Sequence, residues 1–477
     1  MWRTSISPAA VSIVAQKNPS PPSANSPHSP SNRHSYESRN PVAPSARLLE
    51  VNTTIRRTSM PATSPQFTIL KAARLIDTAR ETVQEQAAIL LEDDIVRQVG
   101  TAETVRAPDD SPVREIDYGD ATILPGLVDS HVHLNGIGDG RAGDDLALLP
   151  DEVLTVQAAE NARKHLYSGV TTLRDCGAKH RTTFLLRQAV ELGIVPAPRL
   201  ILAGRPIAII GGHLGYFGTT ATGVDECRAA VRQLIKEGAD FIKVTATGGS
   251  TRTSDPLRPS FDVSELLAIC TEAHRFGMHS AAHCTSSQGM VNSLDAGIDT
   301  ILHAVHKEPD GADTYRPEIS ERIVEQGVFV NPTLGQAVAR IRMLEDMPSL
   351  TSEQQAELDA ARQSSDARMD HFARMRDAGV VMAAGSDSAW AHYPMGDYQT
   401  DIEAHAMAGM SNMEAIVSAT RDAARSCRID AQVGTLEPGK QADALVVVGN
   451  PLDDLSALRD VADVYLAGVR VDRQNFV

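Results

Sequence analysis

No stretch of this chain approaches the ~18 consecutive apolar residues that a membrane-spanning helix needs, so no membrane partner is expected. An excess of positive charge is also missing. Lys and Arg number 45 against 61 Asp and Glu, a formal net charge of -16, and phosphate binding needs a basic surface, so a nucleic-acid partner is excluded as well. Cysteine is sparse: Cys176, Cys227, Cys270, Cys284 and Cys427 are widely spaced, odd in number and form no C-x-x-C pair. Neither a disulfide framework nor a zinc knuckle follows, and a reducing, cytoplasmic setting is the expectation. Cys284 reads as a small buried residue.

The first 64 residues lack acid, holding only Glu37 and Glu50, and are rich in Ser, Pro and Asn with no sustained apolar period. Such a composition cannot bury enough surface to fold, so residues 1–64 are expected to be a disordered leader. Its Arg- and Ser-rich character leaves organellar import open for residues 1–59, and Met60 offers an alternative start.

The remaining length suits a large barrel with a smaller domain. Phe67-Thr68-Ile69-Leu70, Ala88-Ile89-Leu90-Leu91 and Ile95-Val96-Arg97-Gln98-Val99 read as strands, and Ala444-Leu445-Val446-Val447-Val448 and Val464-Tyr465-Leu466-Ala467-Gly468-Val469 repeat the texture near the C-terminus. One small β-sandwich built from both ends, 65–124 and 433–477, accounts for both. Between them, over 125–432, short apolar runs alternate with amphipathic stretches, and candidate strands end near His133, Asp175, Gly204, Ala246, His283, Val305, Pro332 and Asp387. This is the pattern of an α/β protein, a (β/α)8 TIM barrel, whose chemistry sits at the C-terminal strand ends.

Those ends carry the informative residues. His131 and His133 lie two apart on the first strand and therefore share a face. The fourth, fifth, sixth and eighth strands give Lys243, His283, His303 and Asp387. Imidazole and carboxylate suit Zn²⁺ and its first-row neighbours. A lysine inside an apolar strand is costly to bury charged; as a neutral amine it can take up carbon dioxide, and the resulting carbamate anion can bridge two cations.

With these residues, Leu124-Pro125-Gly126-Leu127-Val128-Asp129-Ser130-His131-Val132-His133, Thr171-Thr172-Leu173-Arg174-Asp175, Gly211-Gly212-His213, Thr247-Gly248-Gly249, Gly385-Ser386-Asp387 and Gly434-Thr435-Leu436-Glu437-Pro438-Gly439-Lys440-Gln441-Ala442-Asp443 complete a set. Over about residues 66–470 the chain resembles the metal-dependent amidohydrolase superfamily, in the imidazolonepropionase-like branch that includes Xaa-Pro dipeptidase-type enzymes, ochratoxin-hydrolysing amidases and carbamate or phenylurea hydrolases. The resemblance implies two divalent ions, zinc first with cobalt or manganese as alternatives. His131, His133 and Asp387 would hold one, His283 and His303 the other, and a carboxylated Lys243 would bridge them. It further implies a shared water that ionises near neutrality, Asp387 as proton shuttle, and His213 as a catalytic and substrate-contacting residue. Gly248, Gly249 and Arg252 are expected to shape the substrate pocket, and Arg174 with Asp175 to form a structural ion pair beneath it.

Two positions depart from the branch: Thr285 stands where peptidase-like members carry Tyr or His, and Leu302 where many carry Glu. The expected function is hydrolysis of an amide, carbamate or urea-type C–N bond in a small-molecule substrate, by a homo-oligomer. The alternatives are an Xaa-Pro-type dipeptidase, a mononuclear heterocycle deaminase, for which Ser286 replaces the required Glu, and a catalytically inactive scaffold.

Overall fold

The computed structural model describes residues 66–473; the expected leader, with its import-signal and alternative-start readings, lies outside them. Strands β1 (Phe67–Asp77), β2 (Thr82–Glu92) and β3 (Ile95–Thr101) form an antiparallel meander. Both β4 (Val113–Asp117) and β5 (Ala121–Pro125) then pair parallel with β1.

Next come the strands that position the site. Parallel β6 (Leu127–Val132), β7 (Val170–Asp175) and β8 (Arg199–Leu202) make one arc; β9 (Ile242–Thr245), β10 (Ser280–His283), β11 (Thr300–Leu302) and β12 (Phe329–Asn331) make another. Every residue of β6, β7, β9, β10 and β11 is buried, as parallel strands covered on both faces must be. Helices join them, and their starts are chemically marked: Asp262 and Glu265 form a capping box for Val263–Arg275, and Ser286 caps Ser287–Asp295.

The arcs meet through single bridges, Ile207 to Val244, Val330 to Met382 and Val132 to Ser388, rather than through ladders. The eighth expected strand, ending at Asp387, forms no ladder among the described residues. Its last residue has φ +55°, a left-handed conformation that an extended ladder cannot continue.

Finally β13 (Ala444–Val448), β14 (Val461–Leu466) and β15 (Val469–Arg470) return to the N-terminal strands. The free edge of β5 accepts β13 in an antiparallel register, giving the order β15-β14-β13-β5-β1-β2-β3 with β4 on β1. The two ends of the chain are thus joined as expected. They form one hydrogen-bonded sheet. Leu70, Ile89, Ile123, Ala444 and Val446 share one buried cluster on it. Among the described residues no helix is long and apolar enough to cross a membrane.

Candidate active site

Five histidine rings run in an unbroken string across the strand ends. Ring centroids are 5.4 Å apart for His133 and His131, 5.2 Å for His131 and His303, and 4.4 Å both for His303 and His283 and for His283 and His213. Asp387 Oδ1 lies 3.4 Å from Nε2 of both His131 and His133, and its Oδ2 lies 3.8 Å from His303 Nδ1. His131, His303 and Asp387 each present a ligand atom within 4.8 Å of the others, a group able to hold a cation.

The remaining ring nitrogens settle which atoms face inward. His133 Nδ1 is 2.8 Å from the Gly177 carbonyl, and His283 Nε2 is 3.0 Å from the Gly248 carbonyl. A carbonyl only accepts, so each of these nitrogens carries the proton and the other keeps its lone pair. Asn331 gives His131 the same treatment. Its Nδ2 donates to the carbonyls of Ala383 and Gly385 at 3.0 Å each, so its Oδ1, 2.8 Å from His131 Nδ1, is the acceptor. Lone pairs are left on His131 Nε2, His133 Nε2 and His283 Nδ1. His131 Nε2, Asp387 Oδ1 and Lys243 Nζ are all buried with no hydrogen-bond partner. Nitrogen and oxygen donors left bare inside a protein are what a cation site requires.

Burial drives the electrostatics. It pushes the Asp387 carboxyl up to about 8, against the pull of Lys243 and Arg368. It also lowers Lys243, wholly buried, toward the neutral amine that carbamate formation needs, and lowers His131, His133, His283 and His303. Backbone strain is present here too: His303, Thr333 and Asp387 have φ of +67°, +49° and +55°.

Asp129 ties the outer strand ends together. Its Oδ1 accepts from the backbone N–H of His131 and of Ser386, and its Oδ2 from Ser386 Oγ and His165 Nε2. Gln336 Nε2 donates to Asp387 Oδ2 at 2.8 Å, and Thr333 Oγ1 is 2.9 Å from His303 Nδ1. No motif pointed to Asn331, Thr333 or Gln336. The available signal was weak: a polar residue closing the apolar run Phe329-Val330-Asn331.

The expected pocket residues divide. His213 is buried in the string, burial takes it down to about 3, and its Nδ1 meets Thr251 Oγ1 at 3.1 Å. Gly249 leaves room for that ring, because a Cβ there would sit 2.7 Å from it. Gly248 acts through its carbonyl on His283. Arg252 is exposed and pairs with Asp145 at 2.8 Å. The expected Arg174–Asp175 ion pair is not formed, because neighbouring strand residues face opposite sides. Arg174 donates to the carbonyls of Ser130 and Ser426, whereas Asp175 accepts from the Leu134 N–H, and burial pushes its carboxyl up to about 7. Cys284 is buried, as expected, and its thiol is pushed up to about 12. An aromatic wall flanks the string: Trp390 lies 5.2 Å from His133, with Phe217 stacked 6.2 Å behind it.

Residues 122–471 match the amidohydrolase family. The chain belongs to that family. It is therefore an enzyme of the hydrolase class that acts on carbon–nitrogen bonds. Ochratoxinase of Aspergillus niger is 26% identical over 429 residues, covering 83% of this chain and 84% of that protein. Its crystal structure superposes with a TM-score of 0.73 over 86% of this chain and 96% of that one, at 26% identity. The crystal structure of a Xaa-Pro dipeptidase with bound methionine gives a TM-score of 0.73 at 28% identity, over 85% of this chain and all of that one. Imidazolonepropionase of Salinispora tropica is 24% identical over 389 residues, 76% of this chain and 86% of that protein.

Proposed function

We propose that this amidohydrolase is binuclear and cleaves an amide, carbamate or urea-type C–N bond, on a (β/α)8 barrel of about 125–432 carried by a small β domain, a sandwich in the expected form, from 65–124 and 433–477. The observation that carries it is the set of inward lone pairs fixed by outward hydrogen bonds around a buried lysine and aspartate. His131, His133 and Asp387 would hold one divalent ion, His283 and His303 a second, and a carboxylated Lys243 would bridge them. When bound, such ions, zinc first among them, act as Lewis acids that polarise a carbonyl and make a nearby water more acidic.

The chain's own groups do the rest. Asp387, held by Gln336, takes the proton of the water that adds to the carbonyl carbon and returns it to the nitrogen as the C–N bond breaks. Trp390 and Phe217 keep bulk water from one side of the string. The deaminase alternative loses support because Ser286 is engaged as a helix cap, accepting from the Gly289 N–H. Thr285 has its hydroxyl engaged with the Gly248 and Pro256 carbonyls, so no carbonyl-polarising group replaces the one that peptidase-like relatives carry there.

Elemental analysis of protein prepared with bicarbonate and Zn²⁺ tests the reading. Two metals per chain are expected, falling in Lys243→Ala. A stable single metal per chain, unchanged in that variant, sinks the bridge.

A further inference from the structure

Asp401 is a buried carboxylate close to the histidine string that the proposed chemistry does not use. It lies on the helix Gln399–Met407 and is wholly shielded from water. Burial pushes its carboxyl up to about 7, against the pull of two backbone N–H groups and of Arg368. A carboxylate kept inside needs partners, and Asp401 has two from separate parts of the chain. Its Oδ1 accepts from the Gly335 N–H at 2.8 Å and its Oδ2 from the Gly385 N–H at 3.0 Å. His405 Nε2, one turn along the same helix, stands 3.8 Å from Oδ2, outside hydrogen-bond reach.

Both glycines lead to Asp387. Gly385 lies two residues before it, in the segment whose end turns left-handed. Gly335 opens the helix Gly335–Glu345 and precedes Gln336, whose Nε2 donates to Asp387 Oδ2 at 2.8 Å and to the Asp387 carbonyl at 3.0 Å. That helix has no side-chain cap from its own N-cap residue, so Asp401 supplies the acceptor for its first N–H. Glycine is what lets the parts approach: a Cβ at Gly335 would stand 2.9 Å from Asp401 Cα and Cβ, and one at Gly385 2.6 Å from Asn331 Nδ2.

We infer that Asp401 is a positioning residue for Asp387: it locks the strand end and the Gln336 helix to one carboxylate and so fixes where the Asp387 oxygens point. The inference rests on the reading of Asp387 as a ligand for a divalent ion, and it adds a residue that acts only through that ligand.

Zn²⁺ binding to the full chain stripped of metal, followed by competition with a chromophoric chelator, tests it without a substrate. Asp387→Asn marks the binding step that depends on the Asp387 carboxylate. Asp401→Asn, which sets an amide N–H against one of the two backbone donors, should weaken that same step by about tenfold or more, the usual effect of losing a group that orients a ligand. In an Asp387→Asn background it should weaken the step by less than about twofold further, because the route through Asp387 is already broken. Gly335→Ala keeps the Asp401 charge but crowds its Cα and Cβ, and should weaken the step as well. Ile402→Ala, in the apolar core on the same helix, should lower Tm and leave the step unchanged.

A lower Tm in Asp401→Asn with every binding step unchanged overturns the inference and leaves the residue a staple of the fold. Equal weakening in both backgrounds, or an equal effect of Ile402→Ala, also overturns it, because general loosening of the region would then suffice. Unchanged binding in Gly335→Ala overturns it too, since charge rather than placement would carry the effect; this variant decides the matter should Asp401→Asn not fold. A fault in the underlying reading shows separately: unaltered Zn²⁺ binding in Asp387→Asn removes Asp387 as a ligand, and the inference with it.

Discussion

At the scale of single residues, Asp387 is over-determined. Its backbone is left-handed, its Oδ2 accepts from Gln336, and its Oδ1 faces two imidazole nitrogens with no donor of its own. The left-handed backbone and the bare buried oxygen are each unfavourable alone, and such costs cluster at functional positions. Asp387→Asn keeps shape and volume but removes the proton acceptor. Turnover at saturating metal is expected to fall by roughly 10²- to 10⁴-fold while KM changes little. Steady-state kinetics check this, and near-normal turnover would move the proton role elsewhere, with His213 next in line.

At the scale of elements, the loop after β6 meets the segment after Asp387. Gly143 faces Tyr216 and Trp390 so closely that a Cβ would collide with the tyrosine hydroxyl and sit 3.1 Å from the indole. Gly143→Ala should therefore displace the aromatic wall beside His133, leaving the strand ends intact. The chain has two tryptophans, Trp2 and Trp390, so in a Trp2→Phe background emission reports Trp390 alone. A shifted emission maximum with a raised KM and unchanged metal content is expected. An unaltered spectrum would show that the wall tolerates the methyl group.

These elements also show what the sequence makes legible. His131 and His133 on one face follow from a period of two, and the buried Lys243 follows from its apolar neighbours. The missing ladder at Asp387 was not readable, because a left-handed aspartate looks the same in a sequence as an extended one. Arg174 and Asp175 looked like a pair only because they are adjacent, and the strand separates them.

At the scale of the whole molecule, Asp299 joins three regions at the opposite ends of the strands from the histidines. It accepts from His274 Nε2, from the N–H and hydroxyl of Ser280 at the start of β10, and from Arg428 after the last helix. Burial alone would raise its carboxyl, but the His274 and Ser280 hydrogen bonds and the Arg428 charge outweigh it and hold the group below its usual 3.8. With the folded value below the unfolded one, the carboxylate contributes stability above about pH 4, and the contribution disappears as pH falls through the folded value. Asp299→Asn should thus lower Tm at pH 7, and the difference should shrink as pH falls below about 4 toward the folded value. Paired thermal melts check it; a gap that persists in acid would assign the loss to packing.

The order of the elements, the parallel runs and the joining of both chain ends were set by the sequence, because apolar period is a local property. Which nitrogen of each histidine looks inward was not. That depends on the carbonyls of Gly177 and Gly248 and on Asn331, 44, 35 and 200 residues away from their partners. Asp401 stands in the same relation to its surroundings: the sequence shows a helical aspartate among many, and only the packing of its helix against the strand ends sets its two oxygens on Gly335 and Gly385.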